Sequence, residues 1–436
     1  MAAPPNPYRL DGVYLQRQDG FFMQRIKLAA GVITAPQALA VADAADCYGA
    51  GSLHLTTRGS IEIHWLREPD LAAVKRDLAM VGLTSRGACG GAVRGVTCGT
   101  QSAECFPLIE SLARRIHAHF TGNPRFEGLP KKFKIGIEAD AAGGRHLIQD
   151  VGLVLAAVGE DGRAGFDIWI AGGLGREPRP AFLLAGTIPE ERIIPVIEAV
   201  VAVYVRHAPP PKRLKYLVQQ FGEERVRSLI EAEPSYHEEL PRQNGLPEQL
   251  SIEPRAEFRL ELSVGDGMLM ADQLRVLANH ARRRASGVLA VTSDQNIALQ
   301  LAPGCERRAV AAEIAAECGL EALGPGGLKI RVCPGNHECR MGLAPTRDAA
   351  AALVSVLPAG GEGMVVAVSG CPNSCSQPQL AGLGIVAARL ADDGEGGRAP
   401  RYDIYRRTGA GLGEKVCPDL TLEGMLAEVP YLLAGV

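Results

Sequence analysis

The chain has 436 residues, 47% of them hydrophobic and 22% charged, a length that suits about three packed units rather than one. A net charge of −3 and a pI near 6.3 leave no basic surplus for nucleic acid as the main partner, so any cationic site must come from a few placed Arg and Lys residues. Eleven cysteines, an odd number without a paired framework, suit a reducing cytoplasm in which thiols act as ligands.

The opening MAAPPNPYRLDG has neither the basic n-region nor the apolar h-region of a signal peptide. Residues 40–83 read as an Ala-rich helix, a short β run, a turn at TTRG, a second β run, and a helix ending at Gly82-Leu83. In the KKFK run, Lys132 and Lys134 stand two apart and so share one face of an extended strand. The segments HLIQDVGLVLAAV and FDIWIAGGLG read as further strands. Ile193 to Val205 is the most apolar stretch, but it is too short to span a bilayer and contains Glu198, so a buried helix is expected. Glu233 to Leu250 is polar, contains Pro and lacks periodicity, as a linker does.

Residues 276–320 then repeat the pattern of 40–83. Aligning Thr56–Ile63 with Thr292–Leu299 also aligns the flanking helices, at an offset of about 236 residues. The later segments KIRVCPGNHEC, MVVAVSGCPNSC, LGIVAARL and YDIYRRTGAGLG follow, the last resembling FDIWIAGGLG. The expected fold class is α+β, with two halves related by pseudo-twofold symmetry. Each half is a ferredoxin-like half domain (10–90 and 251–325) followed by a mixed α/β domain (91–235 and 326–436), joined by a linker at 236–250.

The copies diverge where chemistry is expected. Arg58 in the first faces Asp294 in the second, and where the first carries Arg94 and KKFK the second carries cysteines. Cys333, Cys339, Cys371 and Cys375 form C-x5-C and C-x3-C pairs among Pro, Gly and Asn, which set sulfurs on turns. Four such thiolates suit a four-iron cluster; a tetrathiolate zinc site is the alternative, although zinc more often uses closer knuckle spacings. Cys47, Cys89, Cys98, Cys105, Cys305, Cys318 and Cys417 read as packing residues.

Taken together, MQRIKLAAGVIT, LHLTTRGSIEIHW, LTSRGACGGAVRGV, LPKKFKI, RLKYLVQQFG and the paired cysteine motifs resemble the siroheme-dependent nitrite and sulfite reductase family over essentially the whole chain. The resemblance implies a [4Fe–4S] cluster on Cys333, Cys339, Cys371 and Cys375, with Cys375 also the thiolate that links cluster to siroheme iron. It implies an anion pocket of Arg58, Arg94, Lys132 and Lys134, and siroheme contacts that include Arg86 and Asn373. It further implies six-electron reduction of nitrite or sulfite, with the GNHEC form of the first motif leaning towards nitrite. Arg stays charged and offers a planar fork of donors, while a lysine among other cations can release protons.

No Gly-rich dinucleotide fingerprint follows a predicted strand, so electrons are expected from ferredoxin or a separate reductase subunit. Two departures stand out: Gly95 where RNV is common, and Ala171 where Gly is usual, the latter read as harmless. Neither nucleic acid nor membrane is an expected partner. Two other readings stay open at this point. One is a precorrin-3B-synthase-like oxygenase of cobalamin synthesis with a [4Fe–4S] cluster, and the other is a non-catalytic metal- or tetrapyrrole-binding partner.

Overall fold

The computed structural model describes residues 7–434 except 161, 242–258, 325, 358–362 and 395. The internal repeat is visible in its elements. Helix Ala35–Tyr48 recurs as Ala271–Arg284, strand Val32–Thr34 as Met268–Met270, and helix Leu71–Met80 as Arg307–Cys318; starts at 35, 32 and 71 against 271, 268 and 307 differ by 236 each time. The first helix starts where Thr34 caps it: its hydroxyl accepts from Gln37 N while the Gln37 side chain accepts from Thr34 N. Such a reciprocal cap contributes about 1 kcal/mol.

The two ferredoxin-like units are interlocked. Met268–Met270 pairs antiparallel with Ser52–Leu55 in the first unit's sheet, and Val32–Thr34 pairs with Ala285–Val291 in the second unit's sheet. Each half therefore lends its partner an edge strand, and the units expected at 10–90 and 251–325 are each incomplete alone. One continuous core follows, with Val41, Leu53 and Ile61 packed together with Leu274, Leu289 and Val310. Fully burying each such side chain contributes about 2 kcal/mol.

Each half continues into a five-stranded sheet of the same plan. In the first, Thr97–Cys98, Ile135–Glu138 and Val151–Val158 run parallel, and Ala164–Ile170 and Phe182–Pro189 complete it antiparallel. The second repeats this with Lys329–Val332, Val365–Ser369 and Leu383–Asp392, then Arg398–Arg406 and Glu414–Leu420. Parallel neighbours need crossovers, supplied by helices Phe106–Phe120 and Thr346–Ser355. Loops at the carboxyl ends of such strands are where sites form, and both cysteine motifs begin there, after Val332 and after Ser369.

The apolar run 193–205 lies inside helix Glu190–His207, with Ile193, Val196, Ile197, Val200 and Tyr204 fully buried. No helix among the described residues is long and apolar enough to cross a membrane. The expected linker starts later than 236: Pro234–His237 is a 3-10 turn, Tyr236 is buried, and its carbonyl accepts from Arg192. Most of the linker lies outside the described residues. Ala171 has φ 65, the left-handed region where a Cβ costs about 1–2 kcal/mol. The departure at this position is thus not neutral.

Candidate active site

The cysteine turns are held by backbone and neighbouring side chains. Cys333 N donates to Val368 O (3.2 Å), Gly370 N donates to the Cys333 sulfur (3.1 Å), and the Thr346 hydroxyl donates to Cys333 O (2.6 Å). The loop after Cys339 crosses the one before it so closely that a Cβ on Gly342 would stand 2.2 Å from the Gly335 carbonyl carbon, which only glycine permits. Burial pushes the thiols of Cys333, Cys339 and Cys371 up, the last to about 12, and negative charge on Cys375 raises all three further. The four sulfurs therefore share one electrostatic neighbourhood. Metal binding would remove the protons that burial favours.

Among the described residues no three His, Cys, Asp or Glu side chains are gathered tightly enough to hold one metal ion. The backbone and side-chain amides of Asn373 oppose the rise at Cys371. Cys375 differs from the rest in being exposed, and its charge acts on Lys132 and Lys134.

Those lysines form the other wall. They flank fully buried Phe133, whose N donates to Ala92 O (3.1 Å) and whose O accepts from Arg94 N (2.8 Å), so the run is extended and both lysines leave on one side as expected. Each keeps some solvent exposure. Burial pushes Lys132 down to about 8, with Arg213 and Arg94 adding to the effect. Lys134 is pushed well down by burial, then by Lys132 and Arg58.

Arg58 sits at the tip of the hairpin between Ser52–Leu55 and Ile61–Arg67, where the Thr56 hydroxyl accepts from Arg58 N and Ser60 N (3.2 Å each). Its guanidinium donates to Gln149 Oε1 (3.0 Å), Gly95 O (2.8 Å) and Ile135 O (3.4 Å). Burial and then Arg94 push it down to about 9. The Arg94 guanidinium is buried and donates to carbonyls of its own loop, those of Gly87, Ala92 and Gly90.

Lys27, which sequence reasoning passed over, belongs with this set. It is 3% exposed, and its ammonium donates to Val93 O (3.2 Å) and the Thr121 hydroxyl (2.8 Å). Burial, Arg94 and Arg58 push it down to about 7. Asp150, which accepts from the backbone N of Lys134 (2.8 Å), is paired with Arg213 at 2.8 Å. The side chains of Lys27, Arg58, Arg94, Lys132 and Lys134 thus have no carboxylate hydrogen-bond partner among the described residues. Buried cations without counter-ions are costly. This cation set fits a ligand that brings several negative charges, as a carboxylate-rich macrocycle and an oxyanion would.

Arg86 does not join them. Its fork is engaged by Glu127 (2.7 and 2.6 Å) and Asp11 (3.0 Å), partners too distant in sequence to anticipate. His54 and His64 bracket buried Glu62 at 3.5 and 3.3 Å, with Arg25 on its other oxygen. Burial pushes Glu62 up, but Arg25 and the two histidines outweigh it and hold the carboxylate well below its usual range. Their alternation His54, Glu62, His64 across the hairpin was the available signal. In the second copy Asp294 takes the place of Arg58 and meets Arg145 (2.7 Å), Lys329 (3.1 Å) and Arg331 (3.9 Å).

A family model for the nitrite/sulfite reductase ferredoxin-like half domain matches residues 14–81, and one for the nitrite and sulphite reductase 4Fe-4S domain matches residues 90–238, the first copy of the repeat. An assimilatory ferredoxin-dependent nitrite reductase of Haloferax mediterranei is 27% identical over 94% of this chain and 77% of its own. A ferredoxin–nitrite reductase of Synechococcus elongatus is 28% identical over 93% of this chain and 84% of its own. A ferredoxin sulfite reductase of Mycobacterium tuberculosis is 25% identical over 91% and 78%. The solved structure of the Mycobacterium tuberculosis NirA protein shares the fold, with a TM-score of 0.83 at 22% identity over 98% of this chain and 86% of that one.

Proposed function

The chain belongs to the siroheme-dependent nitrite and sulfite reductase family, and from that premise we propose how its own residues serve the reduction of nitrite or sulfite by six electrons. The observation that carries the reading is the set of buried and half-buried cations without carboxylate hydrogen-bond partners among the described residues, beside the exposed thiol of Cys375. When bound, the [4Fe–4S] cluster and siroheme supply single electrons and a metal that holds the anion.

Cys333, Cys339, Cys371 and Cys375 would hold the cluster, and exposed Cys375, whose charge acts on Lys132 and Lys134, would be the shared thiolate. Arg58 presents a fork of donors to the oxyanion and stays charged. Lys132, pushed down to about 8, and Lys134, pushed well down from the ordinary lysine value, donate protons as oxygen leaves as water. Lys27 and Arg94 offset negative charge from behind the first line of donors. A ferredoxin-like one-electron carrier is the proposed donor, in keeping with the names of the relatives. Gly335-Asn336-His337-Glu338 supports a lean towards nitrite over sulfite. The test is Cys375→Ser: loss of the coupled cluster and haem signature is expected, and full activity in that variant contradicts the role.

A further inference from the structure

We propose that Gln377, held by Arg331, is a positioning residue that fixes the Cys375 turn against the Arg58 hairpin. The inference rests on the reading of Cys375 as a ligand. Thr57, the neighbour of Arg58, is tied to that turn at two points. Its hydroxyl donates to Cys375 O (2.8 Å), and its own carbonyl accepts from Gln377 Nε2 (3.1 Å). The other end of the amide, Oε1, accepts from Arg331 Nη1 (3.2 Å). Arg331 has only donors, so this contact fixes which way the amide points.

The arrangement is costly unless the side chains are needed where they stand. Gln377 has φ 60 and Ser374, just before Cys375, has φ 55, conformations that cost a side chain about 1–2 kcal/mol each. Arg331 is 1% exposed and reaches its counter-ion Asp294 only at 3.9 Å. The turn is pinned again from below, where Ser376 N donates to the Ser369 hydroxyl (3.1 Å) and the two hydroxyls meet at 2.7 Å. Backbone atoms at and after Cys375 are thus held while the residue itself stays exposed. The same contacts hold the hairpin that carries Arg58, so one clasp sets thiolate and guanidinium relative to each other.

The repeat supplies an internal control. Ser293 is the counterpart of Thr57, and its hydroxyl donates to Cys98 O (3.1 Å) in the other half, where no proposed ligand lies.

The test uses the holoenzyme with Gln377→Leu, Thr57→Val, the conservative Thr57→Ser, and Ser293→Ala. Iron and sulfide content, the visible and paramagnetic resonance spectra, and kcat and KM for nitrite and sulfite are measured together. Gln377→Leu and Thr57→Val are expected to retain iron and sulfide, shift the haem bands, and lower kcat/KM about ten-fold, the scale of one lost buried hydrogen bond. Thr57→Ser restores the wild-type spectrum and rate, and Ser293→Ala leaves both unchanged. Should Gln377→Leu not fold, Thr57→Val against Thr57→Ser decides alone. Wild-type spectra and kcat/KM in Thr57→Val overturn the clasp, as does an equal loss in Ser293→Ala. A wild-type protein without cluster and siroheme instead overturns the functional reading itself.

Discussion

Replacing Lys27 by Met should stabilise the cofactor-free protein in acid and destabilise it in base. The ammonium of Lys27 is 3% exposed and is pushed from 10.5 to about 7, first by burial and then by Arg94 and Arg58, with Glu127 opposing; buried His117 also faces it. A shift of that size corresponds to about 5 kcal/mol at 1.36 kcal/mol per unit. Below pH 7 the lysine is charged folded and unfolded, so the folded state bears the whole penalty. Between pH 7 and 10.5 the unfolded chain binds the extra proton, and stability rises with pH as the penalty is relieved.

Met keeps the bulk and removes the charge, but it leaves Val93 O without its donor, at a cost of about 2 kcal/mol. The net expectation is a gain of about 3 kcal/mol at pH 6 and a loss of about 2 kcal/mol above pH 10. In the loaded enzyme the gain at pH 6 shrinks, because bound carboxylates offset the same charge. Urea unfolding of wild type and variant at both pH values, with and without cofactors, measures all of this. A variant less stable than wild type at pH 6, or a difference independent of pH, refutes the reasoning.

Glu138 is buried and raised to about 7, mainly by burial against the opposing pull of Arg145. Its folded pKa lies above its unfolded one, so stability falls as pH rises from about 4.5 to 7. Glu138→Gln should remove that slope and be more stable by about 3 kcal/mol at pH 8; an equal difference at pH 4.5 and pH 8 in thermal unfolding counts against it. Lys134→Ala should leave the absorption spectrum intact while slowing turnover at least about ten-fold, within the range general acids contribute. A normal steady-state rate removes Lys134 from proton delivery.

Much of the architecture was legible because the repeat preserves spacing. The 236-residue offset read from TTRGSIEI and TSDQNIAL is the offset of the helices and strands themselves. The exchange of edge strands was not legible, since Val32–Thr34 and Met268–Met270 are three residues each and nothing in them says which sheet they join. In the site, alternation placed Lys132 and Lys134 on one side of Phe133. Arg86 misled because Asp11 and Glu127 reach it only through folding. Lys27 stayed hidden inside an apolar run, where a lysine is ordinarily a strand-edge residue reaching solvent.

The central claim is that four thiolates and a cluster of cations without carboxylate partners meet around one redox centre. Iron, acid-labile sulfide and siroheme in the purified protein, with reduction by dithionite and then addition of nitrite and of sulfite, test it most directly. The account predicts a coloured protein with cluster and siroheme, reoxidised by the anions as ammonia or sulfide forms. A colourless zinc protein, or a cluster without siroheme and without turnover of either anion, contradicts it.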